Sequence, residues 1–524
     1  MTERTFYPQD FFDNIPESGE VITRFPPEPN GYLHLGHVKA MEIDFDFAKI
    51  NNGKCILRYD DTNPLAEHGE FYDNIREDVE WLGYNYCKIT YTSDYFDELF
   101  NYAIQLINQG DAYICQLSPD DIKSYRNQKI ESPYKNRSIE ESLSLFENMK
   151  NGQYDEGDMT LRMKGDLNDN NSTMWDVIMY RIIKSSHHRT GDKWVIYPTY
   201  DFSHCIVDSI ENITHSFCTT EYIIRRAQYF WFLDKLKLRK PYVFEFSRLE
   251  VENAILSKRK VKELINTHNM SGWNDPRLFT IKGLRRRGYT PASLIELCRN
   301  GGVTKVESEL TTLLMENIIR NHLNLISVRR FAVMNPLKLI IDNWPHVDNK
   351  PNEFIDCYAN DFPFDNGGKD RCMRLTKELY IDKLNFKEVD EKSFYGLAPG
   401  KTIRLKYGHF VSFNNYDKEN NVVHVNLACP EKPKKIKGIL NWVGSDYKNI
   451  IIRTFNGNDM TEIKCMGESS LTESSLTESS LTESSNSSFM CQFEKYGFYC
   501  VDQSSLDQNK LIFNETVKLK TTYN

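Results

Sequence analysis

The sequence predicts an α/β protein: a doubly wound parallel sheet in two separated halves, followed by a C-terminal third built of β-barrels. Three observations carry this reading. A strand, turn, helix, strand unit opens the chain. Strands and helices of the same kind resume after a stretch, 95–190, of different character. Beyond Arg329, short strands with Gly and Asn turns replace helices. The chain has 524 residues, 40% hydrophobic and 13% aromatic. Single cores stop growing at roughly 250 to 300 residues, so at least two domains are expected.

Taken in order, Val21 to Phe25 is a short apolar strand followed by the breaker-rich PPEPNG. Leu35, Val38, Met41, Phe45 and Ala48 then recur at helical spacing, and Cys55 to Tyr59 is a second strand. Parallel strands joined by a crossover helix are the unit of doubly wound folds, so 1–94 reads as the first half of a Rossmann-type domain, with a further amphipathic helix at Phe71, Ile75, Val79 and Leu82. The charge-rich segment 95–190 reads as an α/β insertion that ends before an apolar strand at Trp194 to Tyr197. The second half, 191–260, runs through YDFSHCIVD, ITHSF, a helix with Ile223, Ala227, Phe230 and Trp231, and the strand YVFEFSRL. A helical connecting subdomain is expected over 261–327. Two β-barrels are expected over 328–524, from the strands LKLIID, ELYID, KTIRLKYG, HFVSFNN, NVVHVNLA, GILNWVG, FEKYGFYCVD and TVKLKTTY. Within them lies the repeat ESSLTESSLTESSLTESS, Glu468 to Ser485. Its composition cannot offset ordering entropy, so 467–488 is expected to be a disordered loop.

Composition excludes some classes. No run of about 20 apolar residues occurs, so no helical membrane span is expected. The N-terminus carries no signal core and no transit-peptide pattern, so a cytoplasmic protein is expected. Twelve scattered cysteines without a C-x-x-C pair argue for a reducing compartment and against structural zinc. No structural metal or prosthetic group is expected. The net charge of -9 does not itself suggest a nucleic-acid partner. Local basic clusters stand at Arg285 to Arg287, at Lys258 to Lys260, and at Lys432, Lys434, Lys435 and Lys437, each also readable as a solvated surface.

Two segments carry chemistry. FPPEPNGYLHLGH, Phe25 to His37, follows a strand and opens a helix, whose N-terminal N–H groups and dipole attract phosphate. Gly31 and Gly36 allow close approach, and His34 and His37, three apart, share one face where imidazoles can donate to phosphoryl oxygens. A bare H-x-x-H would more often be a solvent-facing pair. LSKRK, Leu256 to Lys260, follows YVFEFSRL, and Lys258 would bring a positive charge to a leaving pyrophosphate.

HLGH resembles the His-Ile-Gly-His signature, and LSKRK resembles the Lys-Met-Ser-Lys-Ser loop in its Met-Ser-Lys-Arg-Lys form. Together with TRFPPEPNGYLHLGH, LRYDDTNP, DVEWLGY, WVIYPTYDFSHCI, ITHSFCTTE, FEFSRL and DPRLFTIKGLRRRGYTPAS, they make nearly the whole chain resemble the glutaminyl-tRNA synthetases, within the class I glutamyl/glutaminyl family. The resemblance implies ATP with Mg²⁺ as substrate, L-glutamine and tRNA(Gln) as partners, and a monomer. It implies that Glu28, Pro29, Asn30, His34, Gly36, His37 and Lys39 line the ATP site, closed by Thr219, Arg248, Leu249, Leu256, Ser257 and Lys258. It places His34, His37 and Lys258 in the chemistry and Asp60 on the amino group of the amino acid. Arg24 and Tyr200 would reach the carboxylate or the side-chain end. The insertion would hold the tRNA acceptor end and the barrels the anticodon, with Arg371, Lys401 and Arg404 as reading residues.

The same-family alternative is a glutamate–tRNA ligase. Cys218 bears on the choice: the glutamate enzymes carry Arg there, and without it a buried γ-carboxylate costs several kcal/mol, about a thousandfold. A non-catalytic tRNA-binding relative and a small-molecule nucleotidyltransferase are the other readings. The first is disfavoured by intact His34, His37 and Lys258, the second by the barrel-like C-terminal third. Three departures stand out. Leu256 replaces the usual Met. Ile224 stands where bacterial glutamine enzymes have an Asp that reads the acceptor stem. An appended N-terminal RNA-binding domain is expected to be absent, since TRFPPEPNG begins at Thr23.

Overall fold

The protein is seen as a computed structural model that describes residues 6–17, 19–347, 350–351, 353–364, 370–428, 436, 438–471, 489–505 and 510–519. It divides into two units: Met1–Lys262 with Leu294–Thr311, and Glu263–Ser293 with Thr312–Asn524.

The first unit opens with α1 (Gln9–Asp13), β1 (Ile22–Phe25) and α2 (Leu35–Met41), then α3 (Phe47–Ile50), β2 (Lys54–Tyr59), α4 (Gly69–Trp81) and β3 (Lys88–Tyr91). β1, β2 and β3 form a parallel sheet in that order. β2 is buried from Cys55 to Tyr59, Arg58 included, as expected of a parallel strand covered on both faces. The insertion follows with α5 (Phe96–Asn108), β4 (Ala112–Cys115), α6 (Pro119–Asn127), α7 (Ile139–Lys150), β5 (Thr160–Met163), β6 (Ile178–Ile182) and β7 (Ile196–Pro198). The chain then returns through α8 (Tyr200–Ile210), β8 (His215–Thr219), α9 (Arg226–Leu236), β9 (Tyr242–Phe246) and β10 (Leu249–Val251).

β8 and β9 pair in parallel. Thr214 brings them to β1, its N–H donating to the Ile22 carbonyl at 2.8 Å while its hydroxyl accepts from the Ile22 N–H at 2.8 Å. The strands thus run β3, β2, β1, β8, β9, and the order reverses between β1 and β8. In a doubly wound sheet that reversal opens a crevice at the strand C-termini. An aromatic cluster of Phe11, Phe47, Phe217, Phe244 and Phe246 packs beneath it.

The strand expected to open the second half belongs elsewhere. Ile196 to Pro198 pairs antiparallel with β6 and closes the insertion's four-stranded sheet, β4-β5-β6-β7. Local apolar pattern marks a strand but not its partner, which here lies in the preceding segment. The insertion is also no separate core: Phe96, Phe100, Phe146 and Trp194 pack in one cluster with Phe202 and Cys205 of α8 and Phe232 and Leu233 of α9.

The second unit contains two seven-stranded sheets. In one, Val328–Arg330 and Ala332–Val333 form the two edges, joined through the buried Phe331, so that consecutive residues close the sheet on itself. In the other, Ile439–Leu440 and Val443–Gly444 are the edges, joined through buried Asn441 and Trp442. The final strand is Leu511–Lys518, centred earlier than the expected TVKLKTTY, whose last residues lie outside the described ones. Of the loop expected over 467–488, residues 472–488 also lie outside them. Its first residues are packed: Leu471 is fully buried, and Glu468 is buried against Arg371 and Arg330.

Candidate active site

The turn between β1 and α2 is held by its own two histidines. His34 is the N-cap of α2, and its Nδ1 accepts from the Gly36 N–H at 3.1 Å, while His37 Nδ1 accepts from the His34 N–H at 3.1 Å. This is a capping box made of imidazoles. Because both Nδ1 atoms accept, each neutral ring carries its proton on Nε2, as a donor. The rings lie 3.9 Å apart between centroids. Burial, then the charges of Lys258 and Arg248, lower the His34 pKa to about 4, and burial, His34 and Lys258 hold His37 well below the usual range. The pair is therefore neutral around pH 7, two N–H donors rather than two cations.

Lys258 faces this turn. Its ammonium donates to Asn30 Oδ1, and a Cβ on Gly31 would lie 3.1 Å from its Cδ. A Cβ on Gly36 would stand 3.0 Å from the His34 ring and 4.0 Å from Leu256. A side chain at either glycine would press on the residues the turn brings together. Burial lowers the Lys258 pKa, partly offset by Glu28. Ser257 and Arg248 are exposed at the rim, where Arg248 and Thr219 both bind Glu221. Leu249 and Pro29 are buried beneath it. Lys39 departs from expectation: it is buried, and its ammonium donates to the Ser247 carbonyl at 2.7 Å, tying α2 to the end of β9.

Asp60 follows β2 and is 6% exposed. Burial pushes its carboxyl up to about 7; Arg58 opposes this, and Glu28, Asp61 and Glu67 add to it. A buried carboxyl in that condition is poised to gain from a cation.

A cleft next to β8 and α9 is lined by Tyr200, His204, Cys218, Tyr222, Gln228 and Glu245, among others, with about 420 Å³ of empty space, solvent at its mouth included. Tyr200 stacks on His204 with centroids 4.6 Å apart. Burial pushes the Cys218 thiol up to about 12, so it is neutral. Beneath the cleft, Asp208 accepts from Arg24 Nε at 3.0 Å, Arg58 at 2.5 Å, Ser216 Oγ at 2.9 Å and Tyr229 OH at 2.8 Å. Arg24 differs from expectation in the same way as Lys39. It is fully buried, and its guanidinium is taken up by Asp208, the Phe217 carbonyl and Ser216 Oγ. It forms the floor. Sequence reasoning also missed Arg226, which binds Glu245 at 2.8 Å, and Arg225, which pairs with Asp201. Nothing in a local pattern announces which carboxylate an arginine will meet.

The barrel candidates divide. Arg371 is buried, paired with Glu468 at 2.8 Å and Asp361 at 3.4 Å, and Lys401 is buried, paired with Asp390 and donating to the Phe394 carbonyl at 2.6 Å. Both charges are spent inside the barrel. Arg404 is exposed beside the Phe410 ring. Arg286 pairs with Asp502 at 2.9 Å and Arg287 donates to the Glu515 carbonyl at 3.2 Å, so that cluster is structural in part, and Lys432, Lys434, Lys435 and Lys437 lie outside the described residues. Among the described residues no group of His, Cys, Asp and Glu is placed to hold a metal, and no helix is long and apolar enough to cross a membrane.

Comparison with known proteins fits this geometry. The family model described as tRNA synthetases class I (E and Q), catalytic domain, matches residues 20–325. The chain belongs to the class I E and Q tRNA synthetases. The anti-codon binding domain of the same synthetases matches 327–430. The chain is 42% identical over 535 residues to a glutamine–tRNA ligase of Lupinus luteus, covering 96% of itself and 66% of that relative, so it spans just under two thirds of the plant protein. It is 41% identical over 528 residues to a glutamine–tRNA ligase of Actinobacillus succinogenes, covering 95% of itself and 93% of that relative. A glutamine–tRNA ligase of Clostridium perfringens is 39% identical over 528 residues, with 96% and 95% covered. As in other α/β nucleotide folds, the synthetase signature residues gather at the switch point between β1 and β8.

Proposed function

We propose that the chain is a glutamine–tRNA ligase. The carboxylate oxygen of L-glutamine attacks the α-phosphorus of ATP, supplied with Mg²⁺, and the bond to pyrophosphate breaks. The 2'-hydroxyl of the terminal tRNA adenosine then attacks the carbonyl carbon of the adenylate. AMP leaves and the hydroxyl proton passes to its phosphate.

Each part of the site has a task. The Nε2–H groups of His34 and His37 donate to phosphoryl oxygens, and Lys258 neutralises charge on the departing pyrophosphate. Gly31, Gly36, Asn30, Glu28, Pro29, Leu249, Leu256, Ser257, Thr219 and Arg248 form the walls against which the nucleotide lies. Asp60 accepts from the substrate ammonium, and the cleft by Tyr200 and Cys218 takes the side chain. Arg404 is retained as a residue that touches the anticodon.

One observation carries glutamine over glutamate: the cationic side chains of the cleft are already committed. Arg225 pairs with Asp201, Arg226 with Glu245, and Arg24 beneath them with Asp208. A γ-carboxylate would enter beside Cys218 without a cation to meet it, whereas a carboxamide needs none. Charging of tRNA(Gln) and tRNA(Glu) with each amino acid tests the reading. Faster charging of tRNA(Glu) with glutamate would overturn it.

A further inference from the structure

We infer that Gln228 reads the side-chain amide of the substrate, an inference that rests on the reading of this cleft as a glutamine site. Gln228 lies in the first turn of α9 and lines the cleft with Cys218, Tyr222 and Glu245. It is 2% exposed, and both its Nε2 and its Oε1 lack a partner among the described residues. A buried carboxamide with neither end paired destabilises the free protein, and a leucine of similar size would not carry that cost. Such a side chain gains from a group that arrives with one donor and one acceptor.

The flanking residues fix where it stands. Arg226 is anchored to Glu245, and Tyr229 donates to Asp208 at 2.8 Å, so the turn carrying Gln228 is tied on both sides. The cleft also holds the phenols of Tyr200 and Tyr222, while other neighbours offer poorer recognition. Cys218 is a neutral thiol and only a weak donor. Val243 has no polar side-chain atom. The arginines are paired. Two carboxamides can exchange two N–H···O bonds, the Nε2 of Gln228 donating to the substrate oxygen and its Oε1 accepting from the substrate NH₂. A γ-carboxylate supplies acceptors only, leaving Oε1 opposed to an anionic oxygen. Gln228 thereby does two things, binding glutamine and rejecting glutamate.

The test uses the full chain with tRNA(Gln), as wild type, Gln228→Leu and Gln228→Met, measured for aminoacylation with glutamine and glutamate. In both variants KM for glutamine should rise about 10- to 100-fold, with kcat and KM for ATP changed less than about threefold, and glutamine preference should fall about tenfold. Gln228→Leu should melt at or above the wild-type temperature. KM for glutamine within about twofold of wild type in both variants, with preference intact, would overturn the role of Gln228 while leaving the glutamine reading standing. A lower melting temperature in both would show the amide to be structurally paired and overturn it as well. Wild type that charges glutamate better than glutamine would remove the glutamine reading itself, and the inference with it.

Discussion

Asp60 gives the most direct handle on the site. Its carboxyl is buried and pushed up to about 7, chiefly by burial, against the opposing charge of Arg58. The sign follows from the role proposed for it: only the carboxylate attracts an ammonium, so the binding form appears as pH rises through about 7. At about pH 6 a group of that pKa is roughly one-tenth ionised, and at about pH 8 roughly nine-tenths. Removing one partner of a buried ion pair costs about 3–5 kcal/mol. Asp60→Asn should therefore lower kcat/KM for glutamine about 10²- to 10⁴-fold at pH 8. At pH 6 the same comparison should shrink about tenfold, because the wild type has lost most of its carboxylate. KM for ATP should hardly move. Asp61 is also pushed up to about 7 by burial, but its oxygens are engaged by Ser93 N–H at 2.8 Å and Oγ at 2.6 Å. Asp61→Asn is the control, expected to keep a pH-dependent kcat/KM. The assay is initial-rate aminoacylation between about pH 5.5 and 8.5. A loss below about tenfold at pH 8, or a ratio of wild type to variant that does not change with pH, would refute the reasoning.

Three further outcomes are expected. Cys218→Arg adds a cation to the cleft beside Glu245 and should shift preference toward glutamate by about tenfold or more in competition assays; no shift would remove Cys218 from the specificity argument. His37→Asn, which removes an Nε2–H donor, should lower kcat about 10²- to 10³-fold by the same factor at every pH between about 6 and 8, because the histidines remain neutral there; pH-rate curves that diverge in that window would count against neutral donors. Asp208→Ala leaves Arg24 and Arg58 buried without their shared partner and should cost about 3–5 kcal/mol in urea unfolding; a loss below about 1 kcal/mol would mean that the hub is not structural.

What the sequence made legible was local. The strand at Ile22–Phe25, the helix at Leu35–Met41 and the strand at Lys54–Tyr59 follow from apolar spacing and the PPEPNG breakers, and His34 was placed by the same pattern that makes it an N-cap. What stayed hidden was pairing across distance. Trp194 to Tyr197 reads as a strand but does not say that β6 is its partner. Lys39 and Arg24 lie inside family motifs, yet their charges are satisfied by Ser247 and Asp208, 208 and 184 residues away. One further local signal is Gly457 and Asn458, which turn the long hairpin of Lys448–Asn456 and Asp459–Gly467 with Gly457 at φ 58°: a Gly-Asn pair between strand runs marks a two-residue turn with Gly at its first central position. Gln228 carried no signal of its own, because an isolated Gln in the first turn of a helix reads as surface.

The two ends of the site solve opposite electrostatic problems with the same buried sheet. Where the triphosphate and the ammonium would lie, charges are left available: Lys258 meets an asparagine oxygen and the field of Glu28, and burial raises the Asp60 carboxyl to about 7. Where the side chain would lie, each arginine has been matched with a carboxylate before any substrate arrives, and the thiol of Cys218 is kept neutral by burial. A charged side chain entering there must either remain unpaired or pull an arginine from its partner, and the second choice strands the buried Glu245 or the part-exposed Asp201. Selectivity on this account joins the contact offered by Gln228 to the prior cancellation of charge. To meet a γ-carboxylate, this cleft must either gain a cation, as in Cys218→Arg, or give up one of those pairs, so the arginines bear on the choice of amino acid along with Cys218.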